Sequence, residues 1–249
     1  MKEAEGYVSE YERTVHGMSG KTNDSLNWRR KLTNGEPVTV VALGDSWTYG
    51  SVADGWYEAR ESGMNTDLIH GSWVMQLRRR LQQLNPQAVV VNSGKGGWTA
   101  PQALEAFDAL VTAHQPDLLL LNYGINDWKR PIPLERYRAD MERILDKAGE
   151  LGSASVLWTS GPVSALSGET YGWHSPMKDD GFPEPFARFN DTLRELAAER
   201  GLPLADAERW IEAEWREGTD ISSWFYDSIH FLQIGHDRIF ACICETLDI

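Results

Sequence analysis

The chain has 249 residues, of which 41% are hydrophobic and 24% charged. This length allows a single α/β domain with a sizeable core, and the composition is that of an ordinary globular protein. The formal net charge of −13 disfavours nucleic acids and anionic membrane surfaces as partners, but it says little about a neutral substrate.

The sequence carries no targeting, membrane or metal signal. Its N-terminal residues 1–17 are polar, and no apolar stretch approaches the length of a membrane span. We therefore expect a cytoplasmic protein, although a secreted protein trimmed of its leader would read the same. The two cysteines, Cys242 and Cys244, fall on different sides of a helical pattern and do not predict a disulfide. No Cys/His spacing resembles a zinc site, so we expect no metal and no other cofactor.

Short apolar runs alternate with helical patterns after a polar start. Residues 1–36 end in the turn signal TNGEP and are predicted to be an N-terminal extension of one domain over 37–249. Strands are predicted at 38–44, 88–94, 118–124, 155–161 and, more weakly, 202–207. Helices are predicted at 72–85, 100–114, 134–151, 186–200 and 233–247. Near-continuous apolar runs in this alternation predict a buried parallel sheet with helices on both faces.

In such a sheet a ligand site lies outside the carboxyl ends of the strands. Here those ends carry Asp45 and Ser46, then NSG, NYG and SG in the later strands. Two long connections, 51–71 and 162–185, follow the first and fourth strands and should overhang the same edge. Connections of this length are often functional.

Ser46 follows the first strand in the stretch ALGDSWTYG. One interpretation is a flavodoxin-like binding module, in which hydroxyls in this loop cradle a phosphate. The loop has the hydroxyls but no glycine-rich cradle and no nearby lysine. A structural turn serine is the simplest alternative. The third interpretation, a nucleophile, requires a base, a group that orients the base, and donors for an oxyanion.

Three later segments could supply those groups. Asp227 and His230 stand three residues apart just before the last helical pattern, so that the carboxylate could orient the imidazole. The segment NSGKGGWT at 92–99 follows the second strand and offers backbone N–H groups. The segment GINDW at 124–128 offers the Asn126 amide. Taken singly, each is better explained as a surface pair or a turn.

The four segments in this order resemble the SGNH, or GDSL-type, hydrolase family. Its blocks correspond here to GDS at 44–46, the glycine block at 92–99, GIND at 124–127 and DSIH at 227–230. Together they span most of the chain, from about residue 38 to residue 247. The resemblance implies a three-layer α/β/α, flavodoxin-like fold with a five-stranded parallel sheet, and metal-independent hydrolysis of esters or thioesters.

The resemblance also implies a role for each matching residue. Ser46 would be the nucleophile, His230 the general base and acid, and Asp227 the residue that orients His230. The oxyanion donors would be the Ser46 and Gly97 N–H groups and the Asn126 side chain. Departures from the family pattern are Trp47, where members often have Leu or Ile, and Lys95-Gly96 ahead of Gly97, which leaves Gly94 as an alternative donor.

Two aspartates and a histidine near the blocks are interpreted differently. We expect Asp45 to hold the turn before Ser46 and Asp127 to be structural. His236 is the alternative base to His230, but it lies within the last helical pattern.

The preferred function is a serine esterase for short-acyl esters, with acetylated carbohydrates first among the options. The chain has 11 tryptophans, and Trp47, Trp98, Trp128 and Trp173 lie near the blocks or in a long connection. Their flat apolar faces would suit a sugar ring. A thioesterase or lysophospholipase acting on longer acyl chains is the alternative enzyme. The sequence does not indicate an oligomeric state.

Overall fold

The computed structural model describes residues 21–162 and 183–249. In chain order the helices and strands are α1 Lys21–Asn34, β1 Val38–Gly44, α2 Ser46–Tyr49, α3 Trp56–Glu61, α4 Trp73–Leu84, β2 Ala88–Gly94, α5 Ala100–Glu105, α6 Phe107–Leu110, β3 Leu118–Leu121, α7 Ile125–Lys129, α8 Leu134–Glu150, β4 Ala154–Trp158, α9 Ala187–Arg200, β5 Leu204–Ala205, α10 Ala207–Arg216 and α11 Gln233–Leu247. Short 3-10 turns lie at Thr66–Leu68, Thr112–His114 and Ile221–Trp224.

The five strands form one parallel sheet in the order β2-β1-β3-β4-β5. Two groups of helices are distinguished by their contacts. In the first, helix α4 contacts α1 and α11, and all three contact the sheet. In the second, helix α8 contacts α5 and α9, and both α8 and α9 contact the sheet. The predicted three-layer fold with a five-stranded parallel sheet is therefore confirmed. The predicted apolar runs form the interior of the sheet, since every residue of β3 and β4 is buried.

The order of the strands determines where in the sheet a ligand site is expected. The chain moves from β1 to β2 on one side and then returns to β3 on the other side of β1, so the direction of winding switches between β1 and β3. Gly44 at the end of β1 pairs with Gly94, and Leu43 pairs with Leu121, so the carboxyl ends of these three strands are level. Ser46, the glycine block and Asn126 all follow these ends.

The helix predicted over 100–114 is broken into α5, α6 and a 3-10 turn. The backbone leaves helical geometry at Ala106 (φ −95°, ψ 10°) and at Val111 (φ −129°, ψ −60°). Ala103, Phe107 and Val111 are all buried, at the spacing that one face of a continuous helix would also bury. The prediction of an unbroken helix was wrong because this apolar spacing does not report where the backbone bends.

Five of the helices in the described part of the chain lie where no helix was predicted, and two of them, α1 and α10, have ten or more residues. Helix α1 falls in the polar N-terminal segment and places Trp28 and Leu32, one turn apart, against the core. Helix α10 follows β5 and is capped by Asp206, whose side chain accepts a hydrogen bond from the Arg209 N–H. Within the described residues, no helix combines the length and apolar character needed to cross a bilayer.

Candidate active site

Ser46 stands at the first residue of the short helix α2, directly after β1. The side chain of Asp45 caps this helix by accepting a hydrogen bond from the Trp47 N–H at 3.0 Å. Gly44 has no room for a side chain, because a Cβ atom there would collide with Thr48 Oγ1 and lie 2.9 Å from the Asn122 carbonyl oxygen. The Gly-Asp-Ser sequence is therefore required by a tight turn that holds Ser46 at the sheet edge, and the predicted turn role of Asp45 is confirmed.

Asp227 and His230 lie on a small loop that precedes α11. Phe225 and Phe231 form an antiparallel bridge across this loop, and the Tyr226 N–H donates to the His230 carbonyl oxygen at 2.9 Å. Asp227 Oδ1 accepts hydrogen bonds from the N–H groups of Ile229 at 2.8 Å and His230 at 2.6 Å. The loop thus folds around the carboxylate and orients the imidazole toward β1.

The three side chains form a continuous hydrogen-bonded chain. His230 Nδ1 lies 2.8 Å from Asp227 Oδ2, and His230 Nε2 lies 2.9 Å from Ser46 Oγ. Asp227 is 1% exposed as a side chain and His230 is 13% exposed. The carboxylate partner selects the tautomer with the proton on Nδ1, which leaves Nε2 free to accept the serine proton.

The electrostatics of this chain favour an ionised Asp227. Burial acts to raise the pKa of this carboxyl, but hydrogen bonds from the His230 side chain and from the His230 and Ile229 N–H groups, together with the charge interaction with His230, outweigh it. The net result is a lowered pKa. An ionised Asp227 can stabilise an imidazolium at His230.

The three predicted oxyanion donors come from the ends of β1, β2 and β3. Gly97 has a φ of +77°, a left-handed conformation that suits glycine, and its carbonyl oxygen accepts a hydrogen bond from Arg130 Nη2 at 2.9 Å. Among the described residues, no acceptor is paired with the N–H of Ser46 or of Gly97. Gly94 is the weaker alternative, because its N–H donates to Asn92 Oδ1 at 2.9 Å.

The Asn126 amide is held by two contacts. Its Nδ2 donates to the Trp98 carbonyl oxygen at 3.0 Å and makes a long contact of 3.4 Å with Asp45 Oδ2. The second interaction is weak at that distance, so one amide proton can be redirected to a substrate oxygen at little cost. The residue is 5% exposed, which places this donor in a water-poor environment.

Asp45 and Asp127 are buried carboxyls beneath the site. Burial raises the pKa of each to about 7, and the charge of Asp127 further raises that of Asp45. Asp127 Oδ1 accepts a hydrogen bond from the Ala100 N–H at the start of α5 at 3.0 Å. It contacts neither Ser46 nor His230 and fixes a helix start instead, as its structural interpretation predicts.

His236, the alternative base, does not reach Ser46. Its Nε2 lies 3.1 Å from the Ser51 carbonyl oxygen, and the ring is 2% exposed. Burial lowers the pKa of His236 to about 4. A neutral imidazole that donates to a backbone carbonyl is suited to holding the loop after α2 against α11.

The prediction that the tryptophans present flat faces to a sugar is wrong for two of them. Trp47 is 3% exposed and meets Phe231 edge-on, with ring centres 4.8 Å apart. Trp128 is 2% exposed, and its Nε1 donates to the Glu184 carbonyl oxygen at 2.9 Å. These rings stabilise the site from behind and offer no open face to a sugar. Trp98 is partly buried against the core, and its role in binding stays a prediction.

Part of the predicted surroundings lies outside the described residues. This applies to Trp173 and to residues 163–182 of the second long connection. Within the described ranges, no group of three or more His, Cys, Asp or Glu side chains is arranged to hold a metal ion.

Sequence reasoning missed the role of Arg130. Besides its bond to the Gly97 carbonyl, its Nη1 donates to Gln102 Oε1 at 3.3 Å. The Gln102 side chain in turn accepts from the Thr99 N–H at 3.1 Å, so the glycine block is tied to the start of α5. A lone arginine after the GIND segment gave no signal for this contact.

The fold and the serine–histidine–aspartate arrangement together define a class of ester hydrolase. The model of the GDSL-like lipase/acylhydrolase family matches residues 42–238, and the chain belongs to that family. The family resemblance noted in the sequence is thereby confirmed, and the chain is an ester hydrolase. A comparison with curated proteins finds no match.

Several solved structures share the fold at low sequence identity. A putative GDSL-like lipase from Parabacteroides merdae is 21% identical with a TM-score of 0.68, covering 85% of this chain and 96% of that one. A variant of Axe2, an acetyl xylan esterase from Geobacillus stearothermophilus, is 18% identical with a TM-score of 0.66, covering 84% and 94%. A two-domain esterase active on acetylated mannans is 18% identical with a TM-score of 0.66, covering 88% of this chain and 51% of that one.

Proposed function

We propose that the chain is a serine esterase that removes short acyl groups, acetyl above all, from carbohydrate esters. The observation that carries the catalytic part is the unbroken hydrogen-bonded chain from Ser46 Oγ through His230 to Asp227, with distances of 2.9 and 2.8 Å. A nucleophile, a base and an orienting carboxylate at such distances are what acyl transfer to serine requires.

The first half-reaction forms an acyl-enzyme. Ser46 Oγ attacks the ester carbonyl carbon while its proton passes to His230 Nε2, and the carbonyl oxygen becomes an oxyanion held by the N–H groups of Ser46 and Gly97 and the amide of Asn126. Collapse of this intermediate breaks the bond to the alcohol oxygen. His230 returns the proton to that oxygen, so the alcohol leaves neutral.

The second half-reaction releases the acid. Water replaces the alcohol, and His230 Nε2 takes one of its protons as the water oxygen attacks the acyl carbon. The bond to Ser46 Oγ then breaks, His230 protonates the serine oxygen, and the carboxylic acid leaves. Asp227 stays ionised throughout and stabilises the imidazolium in both halves.

The preference for an acetylated sugar is supported by two observations. The cavity beside His230 has a volume of about 230 Å³ and carries the aromatic side chains of Trp56 and Tyr226, which suit the face of a sugar ring on the alcohol side of the ester. Two of the structural neighbours are an acetyl xylan esterase and an esterase active on acetylated mannans, and the choice of acetyl as the acyl group follows them.

The test is a series of p-nitrophenyl esters from acetyl to decanoyl, followed by acetylated xylo-oligosaccharides. We expect kcat/KM to peak at acetyl, with acetate release from the sugars. Ser46→Ala should be inactive on every substrate, and the exposed Ser223→Ala serves as its matched control. A peak at eight carbons or longer, without acetate release from sugars, would instead support a thioesterase or lysophospholipase.

A further inference from the structure

A pocket beside the triad is formed by the first long connection. It is lined by Ser51, Val52, Trp56, Arg60, Tyr226, Asp227 and His230. The oxyanion donors are not among these residues. In ester cleavage the imidazole protonates the departing oxygen, so a pocket on the imidazole side and away from the oxyanion donors lies where the alcohol part of the ester departs.

The wall of this pocket is held in place before any substrate arrives. Val52 has a φ of +71°, a strained conformation for a β-branched residue that persists only where its surroundings impose it. On either side of it, the Ser51 carbonyl oxygen is bound by His236, and the Asp54 N–H donates to Gln233 Oε1 at 3.0 Å. Strain at a rigid wall next to reacting groups is a mark of a binding surface.

The pocket combines aromatic surfaces, hydroxyl groups and one cation. The Arg60 guanidinium lies over the Trp56 ring, with its carbon 4.8 Å from the ring centre. At the rim the hydroxyl groups of Tyr57 and Tyr226 are 3.3 Å apart. Indole and phenol groups can contact the face and the hydroxyls of a sugar ring.

The charge of Arg60 is not neutralised within the described part of the chain. None of the ion pairs there includes it, although Glu58 and Glu61 lie on the same helix. The carboxylate that lines the pocket, Asp227, is already bound to His230. The chain has a net charge of −13, so most of its surface repels anions. An arginine at this position, without an ion-pair partner among the described residues, attracts an anion locally.

We propose that this pocket binds the alcohol part of the substrate and that Arg60 selects alcohols bearing a carboxylate, as on the ring of a uronic acid. The proposal rests on the esterase function proposed above and narrows its substrate class to esters of acidic sugars. A guanidinium is suited to this selection because its fork of N–H groups can bind both carboxylate oxygens while its flat face stays on Trp56.

The kinetic test compares two acetyl esters that differ in charge, 4-acetoxybenzoate and its neutral analogue 4-acetoxybenzamide. The measured quantity is the ratio of their kcat/KM values. We expect Arg60→Gln to lower this ratio on the order of tenfold, the smaller end of what a charged hydrogen bond contributes, since Arg60 is exposed. Arg60→Lys should restore part of it, and added salt should reduce the wild-type ratio. The exposed Arg216→Gln, on α10, is the matched control and should leave the ratio unchanged.

A binding arm separates failure of this proposal from failure of the esterase function. Ser46→Ala protein is titrated with digalacturonate and with xylobiose, using calorimetry. We expect tighter binding of digalacturonate, and loss of that preference in Ser46→Ala/Arg60→Gln. An unchanged ratio and an unchanged binding preference without Arg60 would overturn the pocket assignment while the esterase stands. If wild type hydrolyses no ester yet keeps an Arg60-dependent preference for digalacturonate, the esterase function fails and the pocket stands.

Discussion

Replacing Asp227 by asparagine changes the chemistry of the site with little change in its shape. The asparagine Oδ1 can keep the hydrogen bonds from the Ile229 and His230 N–H groups, now 2.8 and 2.6 Å long. The Nδ2 group then takes the place of Oδ2, 2.8 Å from His230 Nδ1, and becomes a donor. The imidazole must therefore accept at Nδ1 and carry its proton on Nε2, where it can no longer take the proton of Ser46.

The expected loss follows from this reversed tautomer. The same substitution in a serine protease triad lowers kcat by about 10⁴-fold, and we expect a similar effect here. At about 1.36 kcal/mol for each factor of ten, this corresponds to about 5 kcal/mol of transition-state stabilisation. The assay is the steady-state kcat for p-nitrophenyl acetate, with Ser46→Ala as the baseline and thermal unfolding to confirm that the variant folds.

Asp220→Asn is the matched control for this experiment. Asp220 also caps a turn through its side chain, accepting from the Ser222 N–H at 3.0 Å, but it has no contact with His230. We expect the control to keep wild-type kcat. A loss smaller than tenfold in a folded Asp227→Asn protein would refute the reasoning, because the base would then not depend on this carboxylate.

Three further predictions concern residues around the triad. Asn126→Ala should lower kcat on the order of 10²–10³-fold, and an effect on KM alone would mean that the amide only positions substrate. His236→Gln should cost far less activity than His230→Gln, and the reverse order would show that the base is misassigned. The free energy of unfolding should fall as pH rises from 5 to 8, because Asp45 and Asp127 have pKa values of about 7 in the folded chain against an ordinary value of 3.8, so both hold more protons in the folded state in this window. This fall from two groups outweighs the opposite contribution of His236, whose pKa of about 4 lies below its ordinary value of 6.5. Chemical denaturation should show a smaller fall in Asp127→Asn, and equal falls would contradict the raised pKa of this carboxyl.

Much of the fold was predictable because its signals are local. The apolar runs that became β1 and β2 have the bounds that the sequence predicts. Strand β1 is almost wholly buried, as the apolar run indicates, whereas the edge strand β2 keeps an apolar sequence although Val89 is half exposed. Helix α1 was not predictable in this way, because Trp28 and Leu32 give it only a sparse apolar stripe. The break after Glu105 gives no signal in the sequence, because Ala103 and Phe107 keep the spacing of a continuous apolar helix face.

The candidate site was predictable where it depends on residue identity and less so where it depends on packing. Ser46, Asp227 and His230 were found through short ordered segments, and the structure brings them together. Trp47 and Trp128 were wrongly predicted to bind substrate, because a sequence does not show which rings are buried in the core. Trp47 is buried by Phe231, a residue 184 positions away along the chain. Such long-range packing is absent from any local pattern.

The central claim, that Ser46 is the nucleophile of this esterase, is tested most directly by covalent labelling. The folded protein is treated with a serine-directed fluorophosphonate, and the modified peptide is identified by mass spectrometry. The account predicts stoichiometric labelling of Ser46, parallel loss of p-nitrophenyl acetate hydrolysis, and no labelling of Ser46→Ala. Labelling that persists in Ser46→Ala, or full hydrolytic activity in that variant, would contradict it.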